Sequence, residues 1–394
     1  MPIASISMID DCEQALSKLL RYCRSQSWVG YDPYDALNSP LAHSFPFKSR
    51  LARTALTQLV KRSPFNLRPL LGIHTELNPK GVALAARALM LLAEDDSLEA
   101  DLSFLMTRLE SLRSRDYTEA CWGYNFDWQS RAFFAPRGTP NVVCTAFAAH
   151  AFLDRHEKTG SDSDLEIAAS ACRFLLGRIN RSENDDGCCF SYTPLDHSRV
   201  HNVNLLAAEL LARTFVKTGQ PELGETAERA VRFTLARQRD DGSWPYGEAR
   251  SQSWVDSFHT GFVLVSLKHL IGHLNGAGWR EALDAGYRFY QKRFFLADGT
   301  PGYYHERLYP LDVHSAAQGA ITFVEMKDLM PDADAMADRV VRWTIRNLQD
   351  PAGFFYFQRH RFYTNRISYM RWAQAWMLYA LSLYLSRNRI SENV

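Results

Sequence analysis

The sequence predicts an all-α protein folded as an (α/α)6 toroid, in which six helical hairpins form an inner and an outer ring. Helical periodicity runs through most of the 394 residues, and the strand-like segments are short aromatic runs. Glycine followed by aromatic residues recurs at intervals of about 50 to 65 residues, the length of a helical hairpin with a long loop. Helices that are apolar on most sides alternate with helices that carry one apolar stripe, which indicates buried inner and solvent-facing outer helices.

The first helix is predicted at about residues 9–22, before the turn-rich loop Gly30-Tyr31-Asp32-Pro33-Tyr34-Asp35. We therefore expect a single domain, with an extra N-terminal helix and loop over 1–40 and six hairpins over 41–394. Glycine, Pro, Asp and Ser turns separate most of the helices. The predicted outer and inner helices pair as 45–62 with 80–94, 97–114 with 141–157, 163–179 with 200–217, 221–237 with 258–274, 279–292 with 313–329, and 333–348 with 367–387.

Five of the loops that precede an inner helix carry the glycine and aromatic residues. They read Trp122-Gly123-Tyr124, Gly187-Cys188-Cys189-Phe190-Ser191-Tyr192, Gly242-Ser243-Trp244-Pro245-Tyr246, Gly302-Tyr303-Tyr304 and Gly353-Phe354-Phe355-Tyr356. In a toroid all of these loops emerge at one end, so we expect a cleft there, because loops on a rigid scaffold commonly carry binding and catalytic residues. The segment 238–260 is the richest of them in acidic, aromatic and histidine residues.

Composition and charge narrow the function classes. Lys and Arg number 45 against 44 Asp and Glu, so no net field attracts nucleic acid or an anionic membrane, and any preference for anions must come from a local cluster. The N-terminus lacks the pattern of a signal peptide, and the longest apolar run, 376–385, is shorter than the roughly 20 residues of a membrane span. Seven scattered cysteines are typical of a reducing compartment, so we expect a cytoplasmic protein.

Polar residues recur near the start of the predicted inner helices. Thr145, Asn204, His259 and Gln318 occupy one equivalent position when these helices are aligned. Because a polar group on a buried helix is costly unless it is paired or wet, we expect a polar floor in the central cleft. The alternative is that each side chain bonds a neighbouring loop.

Acidic residues and one histidine are the candidates for catalysis. They are Glu248, Asp256, His259, Glu306 and Asp312. Glycosidic cleavage commonly uses two carboxylates, one protonated and one ionised, and acids on different loops could supply that pair. The alternative for each acid is a structural cap or ion pair, and Asp256 in particular precedes a helix, where Asp is a natural N-cap.

The candidates for substrate binding are aromatic, basic and polar. Arg361, Arg366 and Arg371 belong to a basic sixth loop, and arginine binds carboxylate, sulfate or phosphate bidentately, so the cluster favours an acidic sugar. The alternative is a solvated loop with structural arginines. Aromatic rings stack on sugar faces. The other candidates are Tyr31, Asp32, Trp122, Tyr124, Asn204, Trp244, Tyr246, Trp254, Tyr304 and His314.

No metal or cofactor is predicted. Cys188 and Cys189 with His197 and His201 are the nearest approach to a zinc site. Adjacent cysteines chelate poorly, and no Cys-x-x-Cys or His-Glu-x-x-His spacing is present.

The predicted architecture resembles the toroid shared by many glycan-acting enzymes, terpene cyclases, protein prenyltransferases and lanthionine cyclases. The segment QRDDGSWPYG resembles the Gln-x-x-x-Gly-x-Trp repeat of squalene and oxidosqualene cyclases. However, the Asp-x-Asp-Asp motif that protonates their substrate is absent, and so is the Asp-Asp-x-x-Asp motif of class I terpene synthases. The terpene hypothesis therefore lacks its catalytic residues.

A second resemblance rests on GYDPYDALNS, SYTPLDHSRVHNVNLL, DGSWPYGEARSQSWVDSFHTGFVL and YPLDVHSAAQ. These segments resemble bacterial toroid proteins of surface-polysaccharide biosynthesis loci, which are similar to the catalytic toroid of D-glucuronyl C5-epimerases. The resemblance implies an enzyme that acts on an acidic surface polysaccharide or its precursor, such as a uronate C5-epimerase. The alternatives are a glycoside hydrolase or lyase with the same cleft, or a non-catalytic toroid that binds glycan or scaffolds a biosynthetic complex.

Overall fold

The computed structural model describes residues 3–43, 49–92 and 96–392. Thirteen α-helices fall in these ranges: α1 Ile3–Ser25, α2 Arg50–Arg62, α3 Pro79–Leu91, α4 Glu99–Ser111, α5 Val142–Thr159, α6 Asp162–Arg178, α7 His201–Thr218, α8 Pro221–Leu235, α9 Ser257–Leu274, α10 Arg280–Phe294, α11 Val313–Met326, α12 Ala333–Leu348 and α13 Ala375–Glu392. A π-helical turn, Met370–Gln374, leads into α13. None of the described helices is long and apolar enough to cross a membrane.

Short antiparallel strands decorate the loops. They are β1 Trp128–Gln129 with β2 Phe134–Ala135, β3 Arg181–Asn184 with β4 Gly187–Phe190, and β5 Leu311–Asp312, β6 Gln358–Arg359 and β7 Thr364–Asn365 in one sheet of order β5-β6-β7. Each lies between an outer and an inner helix, so the strands shape the loops at one end of the molecule.

Two concentric rings of helices form the body of the protein. The inner helices α3, α5, α7, α9, α11 and α13 contact one another in that order, and α13 contacts α3, which closes the ring. The outer helices α4, α6, α8, α10 and α12 each pack against the inner helix that precedes them, and α1 packs against α13 in the same way. The predicted (α/α)6 toroid is confirmed.

The helix outside the two rings is α2, whereas the sequence suggested the first helix of the chain. α1 takes the outer position next to α13, and the predicted outer helix 45–62 corresponds to α2, which packs against residues 35–38 and β1. Leu56 and Val60 of α2 join Ala36 and Leu37 in a small core separate from the main one. Residues 45–48 and 93–94 of the predicted helices lie outside the described residues.

The inner helices begin with polar caps. At four of their N-termini a side chain accepts a hydrogen bond from a backbone N–H of the first turn, which satisfies donors that a helix leaves unpaired. These caps are Asn78 of α3, Asn141 of α5, Asp256 of α9 and Asp312 of α11. These caps mark the residue at which each of the four helices begins.

The other ends of three inner helices turn sharply. α5, α7 and α9 end at Gly160, Gly219 and Asn275, each in the left-handed conformation that closes a helix. The short turns therefore lie at one end of the toroid and the long loops at the opposite end.

Four loop glycines lie against the backbone of the next outer helix. Gly187, Gly242, Gly299 and Gly353 have positive φ, and a Cβ atom on each would lie 2.0 to 2.4 Å from a backbone atom of Arg229, Ala285, Arg339 and Lys18 respectively. Only glycine fits such a contact. Because Lys18 belongs to α1, this repeat also places α1 in the outer ring after α12. In the fifth loop the equivalent glycine is Gly299, while the sequence pattern had indicated Gly302.

The glutamine of the cyclase-like repeat braces this contact. Gln238 Nε2 donates to the carbonyl oxygens of Gly242 at 3.0 Å and Ala282 at 2.9 Å. Gln349 Nε2 donates in the same way to Gly353 at 3.1 Å and to Ala15 of α1 at 2.9 Å. The Gln-x-x-x-Gly spacing therefore ties these two loops to the next outer helix.

A charged belt lies among the inner helices toward their C-terminal ends. His269 lies between two carboxylates, with Nδ1 at 2.7 Å from Glu209 and Nε2 at 3.3 Å from Glu325. Arg87 and Arg213 both pair with Asp154 at 2.7 Å. Burial acts to lower the pKa of His269, but the two glutamates outweigh it and raise the pKa to about 9. This charged belt ties inner helices together at the end away from the long loops.

Candidate functional site

A cavity of about 570 Å³ opens where the long loops meet the N-termini of the inner helices. Each inner helix contributes one residue to the floor of the cavity, and in each case it is the residue two positions after the N-cap. The π-helical turn is counted here as the start of the sixth inner helix. These residues are Lys80, Val143, Asn202, Phe258, His314 and Arg371. The N-terminal ends of all six inner helices therefore converge on one space.

Asp256 and His259 form a hydrogen-bonded pair in this cavity. Asp256 caps α9 by accepting from the backbone N–H of His259 at 3.0 Å, and its Oδ2 lies 2.7 Å from His259 Nδ1. Trp254 Nε1 donates to the same Oδ2 at 2.8 Å. A carboxylate can only accept, so Nδ1 is the donor, and in the neutral imidazole Nε2 is the nitrogen that carries the lone pair. The pair has the arrangement of an oriented general base.

Aromatic rings enclose the Asp256–His259 pair. Tyr246 stacks on Trp254 at 4.5 Å between ring centroids and lies 4.4 Å from the His259 ring. Phe258 lies 4.1 Å from His259 and 4.7 Å from His314. Both imidazoles therefore contact one phenyl ring, within a wall of aromatic rings that can stack on a sugar face.

Lys80 is a buried cation without an acidic partner. It is 3 % exposed, and among the described residues no hydrogen bond or ion pair to its Nζ is found. The Nζ atom instead lies 4.5 Å from the ring of Phe147, 5.2 Å from Phe262 and 4.9 Å from Trp376. Burial, with help from the nearby Arg371 guanidinium, lowers the pKa of Lys80 to about 7. The amine can therefore donate or accept a proton near neutral pH.

His314 is likewise unpartnered. It is 1 % exposed, and neither ring nitrogen has a hydrogen-bond partner among the described residues. Its ring lies 4.5 Å from Trp372 and 4.7 Å from Trp376. Burial, then the charges of Lys80 and Arg371, lower its pKa well below the usual value, so it is neutral. Buried polar groups normally have partners, which indicates that a ligand could supply them.

Arg371 is held in place by Asp32. The guanidinium is bidentate, with Nε at 2.5 Å from Oδ2 and Nη2 at 2.8 Å from Oδ1. Arg371 lines the cavity, while Asp32 lies behind it and is not a lining residue. Asp32 therefore positions Arg371, which differs from the substrate-binding role that the sequence suggested for Asp32.

The cavity is strongly basic. Among the described residues that line it, Asp256 supplies the only carboxylate. The lining lysines and arginines are Lys61, Arg62, Lys80, Arg131, Arg307 and Arg371. Asp32 offsets the charge of Arg371 from behind the lining, but the remaining cations still outnumber Asp256. This excess of positive charge favours an anionic ligand, because a concave site with low-dielectric walls focuses the field of its charges.

Polar and aromatic groups complete the walls. Lys61 Nζ donates to the Tyr34 hydroxyl at 2.6 Å, and the hydroxyls of Tyr124 and Tyr192 lie 2.9 Å apart. Tyr304 also lines the cavity. Of the residues that the sequence proposed, the structure thus brings together Tyr124, Tyr246, Trp254, Asp256, His259, Tyr304, His314 and Arg371.

Glu248 is a correction to the sequence-based site. It does not line the cavity, and both carboxylate oxygens are engaged, Oε1 by Arg237 Nε at 2.5 Å and Oε2 by Arg199 Nε at 2.9 Å. Glu248 therefore joins its own loop to the loop that precedes α7 and is not placed for acid or base chemistry in the cavity.

Glu306 and Asp312 also lie outside the cavity lining. The Glu306 side chain is 79 % exposed, so its carboxylate faces solvent. Asp312 is fully buried beneath the cavity, where it caps α11 and accepts from Gln358 Nε2 at 2.6 Å and Trp372 Nε1 at 3.1 Å. Burial raises the pKa of Asp312 to about 6. Asp312 therefore positions lining residues and does not contact the cavity itself.

The predicted polar floor divides into separate roles. Of its four residues, only His259 lines the cavity. Thr145 Oγ1 accepts from the Trp122 backbone N–H at 3.1 Å, and Asn204 Oδ1 accepts from that of Phe190 at 3.0 Å. Both side chains therefore fasten the preceding loop, which was the alternative interpretation, and Asn204 does not bind substrate in the cavity.

Other proposed binding residues serve the core or the surface. Trp122 and Trp244 are buried and donate their indole N–H to the carbonyls of Leu109 and Thr234. Tyr31 does not line the cavity. Arg361 and Arg366 are exposed, and their guanidiniums lie over Phe362 and Tyr356. Among the described residues no group of three or more His, Cys, Asp or Glu side chains could hold a metal ion.

The lining residues that sequence reasoning missed include Lys80, Asn202 and Lys61. The signal for the first two was the register of the N-caps. When the inner helices are aligned on Asn78, Val200 and Asp312 instead of on internal polar residues, Lys80, Asn202 and His314 fall into one position. Lys61 gave no such signal, because α2 belongs to neither ring.

No family model matches the sequence, and no curated protein is significantly similar to it. Solved structures share its fold. An α-mannanase of family GH76 from Bacteroides thetaiotaomicron has a TM-score of 0.61 and 13 % identity, covering 80 % of this chain and 86 % of the mannanase. A cellobiose 2-epimerase from Bacillus thermoamylovorans has a TM-score of 0.64 and 11 % identity, covering 80 % of this chain and 90 % of the epimerase. An unsaturated glucuronyl hydrolase specific for heparin has a TM-score of 0.65 and 13 % identity, covering 98 % of both chains. The chain therefore has the toroid fold found in these carbohydrate-active proteins.

Proposed function

We propose that this chain is a glycan-modifying enzyme that moves a proton on an anionic saccharide, as a uronate C5-epimerase does. The observation that carries the proposal is the charge of the cavity, which has six lining lysines and arginines and, among the described residues, one carboxylate. Its substrate is then an acidic surface polysaccharide or a precursor of one. Proteins with the same fold include a cellobiose 2-epimerase and an unsaturated glucuronyl hydrolase, which supports a saccharide as the substrate.

The same observation disfavours hydrolysis by two carboxylates. That mechanism uses a pair of Asp or Glu residues on either side of the scissile bond. Asp256 has no second acid opposite it in the described lining, and it accepts hydrogen bonds from Trp254 and from both the backbone and the ring of His259. Asp256 is therefore suited to orient His259.

In the proposed reaction, His259 Nε2 takes the proton from the carbon beside the sugar carboxylate. The electron pair of the C–H bond moves into the carboxylate to give an enediolate. Arg371, fixed by Asp32, and the other cations stabilise the developing charge, as preorganised positive groups do in a buried site. Asp256 stabilises the imidazolium that forms.

Epimerisation then needs a second group to deliver a proton to the other face of the carbon. Lys80 has the required properties, because its amine is buried, has no acidic partner and titrates near neutral pH. The ring of Phe262 lies 5.2 Å from Lys80 Nζ and 6.2 Å from the His259 ring, so the two proton-transfer groups share one neighbour. Exchange with solvent afterwards restores the protonation of His259 and Lys80.

Deuterium incorporation tests the proposal. The protein is incubated in D2O with oligosaccharides that contain uronic acid, and products are examined by NMR and mass spectrometry. We expect deuterium at the carbon beside the carboxylate, inverted configuration and unchanged chain length. His259→Ala is expected to lower exchange by about 10²–10⁴-fold, the usual contribution of a general base. Glu248→Gln is the control, because Glu248 lies outside the cavity.

The other outcomes select the alternatives. Shortened oligosaccharides would indicate hydrolysis, and an unsaturated product would indicate elimination after the same proton abstraction. Binding without any chemical change, insensitive to His259→Ala but lost on Trp254→Ala, would indicate a non-catalytic glycan-binding toroid.

A further inference from the structure

Exposed apolar side chains are concentrated in one region of the surface. The five most exposed large apolar residues of the described chain are Leu51 at 84 %, Leu59 at 63 %, Phe65 at 75 %, Leu70 at 85 % and Phe362 at 88 %. The first four belong to α2 or to the residues just after it, and the fifth to the turn between β6 and β7. Isolated exposed leucines are ordinary, but a cluster of this kind marks an interaction site.

The two segments adjoin in space. Asn365 Nδ2 donates to the Ser63 carbonyl oxygen at 3.0 Å, which fastens β7, directly after the turn, to the end of α2. Leu51 and Leu59 lie two helical turns apart and therefore share one side of α2. A different side of α2, with Leu56 and Val60, is already packed. We call the exposed surface of residues 50–70 and 361–366 the basic apolar face.

The charge of this face is one-sided. Residues 36–75 contain six Lys or Arg and no Asp or Glu, and residues 351–391 also lack Asp and Glu, although the whole chain has a net charge of only +1. Of the six, Arg68 is buried and pairs with Asp35, so it does not contribute to the face. Four arginines of the face are exposed, and none of them forms an ion pair within the described residues. They are Arg50, Arg62, Arg361 and Arg366. Positive charge is therefore left without an internal partner beside the apolar side chains.

We propose that the basic apolar face docks on the surface of a bilayer that contains anionic phospholipids. Exposed Leu and Phe enter the boundary between headgroups and acyl chains, and arginines beside them pair with lipid phosphates, which is the composition of helices that lie in a membrane interface. No membrane-spanning segment is needed for this attachment. The inference is independent of the reaction proposed above.

Docking in this way brings the cavity to the bilayer. Gln58 and Arg62 of α2 and Tyr363 of the β6–β7 turn all line the cavity. The face and the cavity opening therefore share a border, and a glycan held at the membrane surface lies within reach of the cavity.

Vesicle cosedimentation of the full chain tests the proposal. We expect binding to vesicles of phosphatidylcholine with added phosphatidylglycerol, little binding to phosphatidylcholine alone, and loss of binding at high salt. Two double variants, Leu51→Glu with Leu70→Glu and Arg361→Glu with Arg366→Glu, are each expected to weaken binding at least about tenfold, because one basic residue near an anionic surface contributes about a factor of five.

Val216→Glu is the matched control. Val216 is 52 % exposed near the C-terminal end of α7, at the end of the toroid away from the cavity, so this variant is expected to bind as the wild type does. Circular dichroism and thermal melts identify any variant that fails to fold. The proposal is overturned if the chain does not bind anionic vesicles or if folded double variants bind like the wild type. It is also overturned if the face forms the interface of a dimer that Leu51→Glu dissociates.

Discussion

Of four basic side chains that line the cavity, two are hydrogen-bonded to a carboxylate and two are not. His259 is held by Asp256 and Arg371 by Asp32, so their positions are set before a ligand arrives. Lys80 and His314 have no acidic partner among the described residues. A carboxylate-bearing ligand could pair with Lys80 and offset the cost of its burial.

Asp256→Asn tests whether the carboxylate orients His259. The amide keeps an oxygen that can cap α9, but it no longer offers a full charge to His259 Nδ1. We expect the deuterium exchange rate to fall by about 10²-fold or more, since the imidazole loses its fixed tautomer and charge partner. Substrate affinity should change little. An exchange rate equal to that of the wild type would contradict the assigned orientation.

Lys80 predicts an unusual dependence of stability on pH. Its folded pKa of about 7 lies below the unfolded value of 10.5, so between these values the unfolded chain binds more protons and stability contributed by this site rises with pH. We expect Lys80→Met to raise the free energy of unfolding most at pH 7 and least near pH 10. Urea titrations of both proteins at several pH values measure the difference. A pH-independent difference would argue against a buried, titrating amine.

The site was predictable where local chemistry was sufficient. Asp256 and His259 stand out because an N-cap and a helix start fall in a loop rich in aromatic residues. Lys80 did not stand out, since a lysine in the first turn of a helix usually faces solvent, and its burial depends on rings from three other inner helices, α5, α9 and α13. Glu248 looked isolated in sequence because its partners Arg199 and Arg237 lie 49 and 11 residues away.

At the scale of helices, periodicity and turns predicted which segments are helical, and alternation predicted the two rings. The choice between α1 and α2 was beyond sequence patterns, since both are amphipathic. The contact of Gly353 with Lys18 decides it, because the same contact recurs between Gly187, Gly242 and Gly299 and their outer helices.

The loop glycines offer a test of this repeat. At Gly242 a Cβ atom would lie 2.4 Å from the Ala285 carbonyl oxygen, whereas at Gly160, also at positive φ, it would meet nothing within 4 Å. We expect Gly160→Ala to lower the free energy of unfolding by about 1 kcal/mol, the cost of left-handed alanine. Gly242→Ala adds a backbone clash and should cost clearly more. Chemical denaturation measures both, and equal costs would contradict the close contact.

At the scale of the whole molecule, the two ends of the inner ring differ, because the cavity lies at one end and the charged belt lies toward the other. One end of the inner ring keeps unpaired nitrogens for a ligand, while the other has Glu209 and Glu325 engaged with His269. Burial acts to raise the pKa of Glu209, but His269 and then His150 outweigh it, so the pKa lies below its usual range. The belt therefore contributes stability only while its glutamates are ionised.

Glu209→Gln tests the belt. We expect it to lower the free energy of unfolding by about 3 kcal/mol near neutral pH, because it removes one partner of a buried pair. Glu209 has a lowered folded pKa, so its contribution is present above the unfolded value of 4.5 and is lost as the pH falls below it. The difference from the wild type should shrink in acid. Glu228→Gln on the exposed side of α8 is the control, and an equal loss there would rule out a special role for the belt.

The seam between α1 and α13 has a consequence for synthesis of the chain on the ribosome. Gln349 bonds Ala15 across 334 residues, and α13 follows later still. Contacts so distant in sequence are slow to form. Because α13 is translated after α1, the nascent chain carries the side of α1 that packs against α13 uncovered until α13 has emerged.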